Sequence, residues 1–178
     1  MLLRFIQWIL LIAGVVCLGV YGYFVYEAHV HQAELQKMLY QPEPNKPPPP
    51  QPPPLKEGDL FGRLEIPRLN LSVMVMEGVS DQILRLGAGH IPGTPLAIAA
   101  HRDTFFRPLS KIQKDDEIRF TSLAGVSEYR VISTAIVGPL DTFVLNTTNE
   151  MMTLVTCYPF YYIGPAPKRF IVQALKIR

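Results

Sequence analysis

A small, mainly β domain, a barrel or a sandwich, carried behind one membrane-crossing helix is the architecture the sequence predicts, and three observations predict it. Phe5 to Tyr26 is apolar except for Gln7, with no charge between Arg4 and Glu27. Nine of the 17 prolines then crowd between Pro42 and Pro54. From Leu60 onward, short β-branched and aliphatic runs alternate with Gly, Pro, Asn and Asp turn signals.

The apolar segment is long enough, at about 1.5 Å per residue, to span a hydrocarbon core of roughly 30 Å. A cleaved leader would have a shorter apolar region ending in small residues. Here the far end carries Tyr21, Tyr23, Phe24 and Tyr26, aromatics suited to the headgroup region. The segment therefore reads as a retained single-pass anchor. Arg4 and the N-terminal amine place the N-terminus in the cytoplasm and the rest outside. Glu27 to Tyr40 is rich in helix formers and extends the helix into water until Pro42 ends it. We divide the chain into anchor and juxtamembrane helix (1–40), proline-rich linker (41–57) and folded domain (58–178). Polyproline II over the linker reaches roughly 40 Å, a stiff stalk that holds the domain off the membrane.

Within the domain, strands are expected over Phe61–Ile66, closed by Pro67, and Leu71–Met76, closed by Glu77 and Gly78. Asp81–Leu86 reads as a short helix with Ser80 as its N-cap and Gly87 as its stop. Leu96–Ala100 is a short buried strand, and Phe105–Leu109 one helical turn. Glu117–Ser122 and Glu128–Val137 flank a turn at Gly125. Met151–Thr156 and Phe170–Ile177 are the last strands.

Net charge is +2, and the domain has no basic block, which argues against a nucleic-acid partner. No His and Cys spacing resembles a zinc site. His29 and His31, two apart on a helix, point to different sides. The two cysteines are Cys17, inside the apolar segment, and Cys157, in the domain. With Cys17 in the bilayer they cannot meet, so Cys157 is a lone thiol.

The stretch Thr153-Leu-Val-Thr-Cys157 puts that thiol at the end of an apolar strand, before a loop rich in Pro, Tyr and Gly. A thiol there is held from behind and open in front, as a nucleophile needs; a small buried core residue is the plain alternative. His101 ends another apolar strand and Arg169 begins the last one. If the strands of Cys157 and Arg169 are neighbours, the two residues face each other across their connection. Thiol, imidazole and guanidinium are the three groups acyl transfer calls for: nucleophile, proton carrier and oxyanion donor. Asp103, two residues after His101, is a candidate for orienting the imidazole.

Taken together, these stretches resemble the sortases, membrane-anchored cysteine transpeptidases of bacterial surfaces. Thr153 to Cys157 is similar to the family's Cys motif, and Ala100-His-Arg-Asp-Thr-Phe-Phe106 to its His segment. Arg169-Phe-Ile-Val is similar to the Arg that opens its last strand, and Gly62-Arg-Leu-Glu-Ile-Pro67 to its first strand. Tyr158-Pro-Phe160 with Ile163-Gly-Pro165 looks most like the class D branch. Class C relatives usually add a C-terminal membrane segment, and none is seen before Arg178. The resemblance implies a closed barrel of about eight strands with short helices. It implies Cys157 as nucleophile, His101 in proton transfer and Arg169 on the oxyanion; it places His90 near the groove, where we assign it no catalytic role. The implied reaction cleaves a Leu-Pro-x-Thr-Gly-like signal near a client's C-terminus. A thioacyl enzyme is then resolved by an amine acceptor, a cell-wall precursor or a protein. No organic cofactor is implied; calcium serves some relatives, but no carboxylate cluster indicates it here. Two departures stand out. Only Pro95 separates Thr94 from the strand at Leu96, which implies a more open or reshaped groove. Asp115 also stands where a turn Gly is common. A peptidase that transfers to water, and a non-enzymatic display domain, are the competing readings.

Overall fold

Eight strands close on themselves in the order β1-β2-β3-β4-β7-β8-β6-β5. The structure is a computed structural model that describes residues 2–40, 55–141, 148 and 150–178. The proline-rich run at 42–54, read above as a stalk, lies outside the described residues. Helix α1 runs Leu2–Tyr40 and the barrel begins with β1 at Leu60–Ile66. Then follow β2 (Leu71–Glu77), α2 (Asp81–Leu86), β3 (Ala88–His90), β4 (Ala97–Ala99), β5 (Glu117–Ser122), β6 (Gly125–Val137), β7 (Met151–Tyr158) and β8 (Lys168–Lys176).

The barrel interior follows from period-two patterning. Leu64 and Ile66 of β1, Val73 and Val75 of β2, Ile118 and Phe120 of β5, and Met152 and Leu154 of β7 all point into one core. Phe106 and Leu109 plug it from the segment after β4. On β2 the outward residues Met74 and Met76 are buried too, because Leu35 of α1 and Ile83 of α2 cover them. That double burial is why Val73–Met76 is an unbroken apolar run.

Two strand pairs are parallel, β2 with β3 and β4 with β7. Helix α2 makes the first crossover and covers the outer face of β2. Ser80 and Gly87 cap the helix as expected, by backbone bonds alone. Ser80 receives the Leu84 N–H on its backbone oxygen, while its side chain makes no cap bond. Gly87 is extended, not left-handed. Glycine is required there for space: a Cβ would meet the Gln32 amide nitrogen at 2.6 Å and the Met74 carbonyl at 2.7 Å. At Gly89 a Cβ would sit 2.1 Å from the Gly78 carbonyl oxygen, so the β2–β3 approach admits no side chain.

Other differences are local. Strand β3 is absent from the sequence reading, since Ala88-Gly89-His90 lacks β-branched residues and is too short for a period. Strand β4 is three residues, not five. The expected helical turn lies at Arg107–Lys111, where Pro108 sits in the first turn. Strand β6 starts at Gly125, three residues early, because the β5–β6 turn is tight. Asp115 does adopt a left-handed φ of 69°, the conformation glycine would occupy there.

Candidate active site

The register of β4, β7 and β8 brings the three sequence-predicted residues to one rim. Strands β4 and β7 run parallel with Ala99 opposite Val155. Two residues further along each chain stand His101 and Cys157, and the Ala100 N–H, bonded to the Val155 carbonyl at 3.3 Å, keeps the two chains side by side just before them. On the other side β7 and β8 are antiparallel, with Cys157 opposite Arg169. Cys157 is thus flanked by the His101 backbone position on one side and by Arg169 on the other. All three are half-buried.

Local bonds hold this rim. The buried Thr156 hydroxyl donates to the Ala100 carbonyl at 2.7 Å, next to His101. The His101 carbonyl accepts the Phe106 N–H at 3.0 Å. That closes a tight turn whose far end, Phe106, is fully buried. Thr156 faces in, and alternation therefore turns Cys157 the other way. Behind the thiol, Tyr158, Phe160 and Phe170 form a ring cluster, with centroids 5.2 Å apart for the two phenylalanines. The Tyr158–Pro159 peptide is cis.

Arg169 turns its Nη1 to the carbonyl oxygens of Lys168, at 3.1 Å, and Ala166, at 3.4 Å. Among the described residues no carboxylate pairs with it. Asp103 is exposed and makes no hydrogen bond to His101, so the orienting role read for it is not formed here. Instead Asp103 lines a cavity of about 510 Å³ beside His101. His90 is engaged on both sides: Nδ1 is 2.7 Å from a Glu77 carboxylate oxygen and Nε2 3.1 Å from the Thr94 carbonyl. Its ring stacks on Phe61 at 3.9 Å. It is a structural histidine that pins the short 91–96 loop, where Thr94 also bonds Ile91 and Ala97.

Arg102 is the residue sequence reasoning missed. Its Nη1 donates to the Pro159 carbonyl at 3.0 Å, and its Nη2 to Tyr162 at 2.7 Å and Gly164 at 3.1 Å. Its guanidinium lies over the Tyr162 ring, 5.6 Å from the centroid. One side chain thus fastens the β7–β8 connection to the His101 segment. The only hint in the sequence is its place beside His101.

Residues 64–177 match the model of the sortase domain. The chain belongs to the sortase family. It is 33% identical over 129 residues to sortase D of Bacillus subtilis; the match takes in 67% of this chain and 65% of that protein. Among solved structures, the sortase D5 transpeptidase of Clostridium perfringens superposes with a TM-score of 0.62 at 26% identity, covering 88% of this chain and 95% of that one. Sortase C of Streptococcus pneumoniae gives 0.63 at 25% identity, covering 86% and 89%. The class D likeness and the closed sortase barrel expected from the sequence are borne out. In this sortase α1 is long and apolar enough to cross a membrane, which fits a single-pass anchor. Among the described residues no three His, Cys, Asp or Glu side chains converge as metal ligands would.

Proposed function

We propose that this sortase is a membrane-anchored cysteine transpeptidase that acts on a Leu-Pro-x-Thr-Gly-like sorting signal. One observation carries the reading: inside a sortase domain Cys157 is paired with Arg169 of β8, and the segment that carries His101 leaves β4 alongside it. The Cys157 thiolate attacks the Thr carbonyl of the signal, and Arg169 donates to the oxyanion that develops. The C–N bond to Gly breaks as protonated His101 gives its proton to the leaving amine. A thioester to Cys157 remains. An acceptor amine, from a cell-wall precursor or another protein, then attacks it; His101 takes the amine's proton and Cys157 leaves as thiolate. Each step is served by a side chain of the chain itself, so no organic cofactor and no calcium is invoked. Arg4 before the span and the aromatics after it support an N-terminus in the cytoplasm and a barrel outside. Protease added to intact spheroplasts then digests the barrel; a protected barrel overturns the orientation.

Full-length protein in detergent, incubated with a signal peptide, is expected to accumulate a thioacyl adduct on Cys157. Cys157→Ala abolishes it and costs the fold at most about 1–2 kcal/mol, since few atoms are lost. An added amine diverts product from hydrolysis to transfer. A Cys157→Ala protein that still cleaves the peptide sinks the assignment, and product that stays hydrolytic at every amine concentration makes the protein a peptidase.

A further inference from the structure

The anchor helix does not leave the membrane into open solvent, as its composition alone suggests. Leu35 is buried among Met74, Met76 and Ile83. The Gln32 side chain donates to the Leu86 carbonyl at 2.8 Å and accepts the Met74 N–H at 2.6 Å. These contacts fasten α1 along the barrel within about three turns of Tyr26. On the membrane side of this dock lies the cavity of about 510 Å³. On the helix side Tyr21, Phe24 and Val25 are apolar and belong to the end of the span, with the polar Glu27 and His29 just beyond it. On the barrel side the polar Arg85, His101 and Asp103 stand among the apolar Leu86 and Phe105. Cys157 and Arg169 do not line it.

We propose that this cavity takes the leaving half of the client, the peptide segment that follows the scissile bond, and that the anchor helix is therefore a wall of the substrate site. The proposal rests on the transpeptidase reading above. In that reaction the acyl half is bonded to Cys157, while the amine half exchanges its proton with His101. A cavity that His101 lines and Cys157 does not is placed for the amine half alone. Tyr21, Phe24 and Val25 on its helix side belong to the span, so a segment leaving His101 along Phe24 and Tyr21 runs toward the bilayer. The occupant is then a peptide with a short polar start and an apolar continuation. Binding energy gained along that continuation serves the reaction only when it positions the scissile bond.

The test uses the full chain in lipid nanodiscs and two peptides that share one signal. The soluble peptide ends two residues past the scissile bond; the tethered one continues into an apolar helix held in the same disc. Val25→Trp and Ala28→Trp fill the cavity and leave Gln32 and Leu35 in place. The quantity read is kcat/KM for acylation by the tethered peptide divided by that for the soluble one. The filled variants are expected to lower this ratio on the order of 10-fold against the parent. Leu123→Ala, at the exposed β5–β6 turn, leaves it unchanged. A photocrosslinking side chain in place of Phe24 is expected to capture the tethered peptide, which checks the site without relying on the filled variants. An unchanged ratio overturns the proposal, as does an equal fall for both peptides. So does a loss confined to resolution by the acceptor, which assigns the cavity to the acceptor instead. Failure of the parent protein to form a thioacyl adduct with either peptide sinks the transpeptidase reading itself, and is told apart in that way.

Discussion

Arg169 spends its Nη1 on two carbonyl oxygens of its own strand entry, which fixes the direction of the guanidinium, and among the described residues no carboxylate neutralises it. A planar fork so held offers donors in set directions; a lysine there keeps the charge but not the geometry. Arg169→Lys is expected to fold and to bind peptide, yet to form the thioacyl enzyme on the order of 100–1,000-fold more slowly, the usual cost of one oxyanion donor. Single-turnover acylation measures it; acylation at the parental rate reduces Arg169 to a support for β8. At this scale the candidate site was legible in the sequence because residue type limits chemistry: one thiol in the domain, one histidine at an apolar strand end, one arginine opening the last strand. His90 and Asp103 show the limit. Nothing in their spacing tells that His90 lies between Glu77 and Thr94, or that Asp103 faces a cavity rather than His101.

Strand positions were readable where period-two alternation runs for six residues or more, as in β1, β5 and β8. In the sequence β4 reads as Leu96–Ala100, two residues longer than the strand, and β3 does not read at all. β3 is a strand because its longer neighbour β2 supplies its partner; a tertiary cause leaves no local signal. The connection after β7 is a similar case. Its Pro, Tyr and Gly residues announce a loop, but the clamp that holds it is Arg102, about 60 residues earlier in the chain. Three carbonyls from one guanidinium make Arg102 a positioning residue for the loop between Cys157 and Arg169. Arg102→Ala is expected to speed hydrogen exchange across 159–164 and to lower acylation kcat/KM on the order of 10–100-fold through misplacement of the rim. Arg102→Lys, with one point charge for three acceptors, should recover little. Unchanged exchange in that loop with normal acylation would show the contacts to be incidental.

Two parts that composition presents as separate, an anchor and a domain, share one buried surface, because Leu35 and Gln32 of α1 find Met74, Ile83 and Leu86 on the barrel. The helix-forming segment after the span is a docking element on the barrel. A further long-range fastening lies between the ends of β1 and β5. Arg68, in the turn after β1, donates from Nε and Nη2 to the two carboxylate oxygens of Asp116, and also to the Lys111 carbonyl. The Gln113 N–H donates to the same carboxylate at 2.8 Å, and the Val131 N–H bonds the Asp116 carbonyl at 2.9 Å. The Arg68 hydrogen bonds hold the Asp116 carboxyl below its ordinary range, aided by the Gln113 N–H and the Arg68 charge and opposed by burial. The folded protein therefore binds fewer protons at this site than the unfolded chain, whose aspartate titrates near 3.9. Stability from the clasp is present in full above that value and is lost as pH falls through the lower, folded one. Thermal unfolding of the full chain in detergent, followed from pH 7 down to pH 3, should show Tm falling at the acid end. Asp116→Asn should lower Tm at pH 7, because the amide accepts from Arg68 on one oxygen only. It should also make the acid fall shallower, since position 116 no longer titrates. If parent and variant lose Tm in parallel from pH 5 to pH 3, the clasp adds nothing to acid sensitivity, and the slope belongs to other carboxylates.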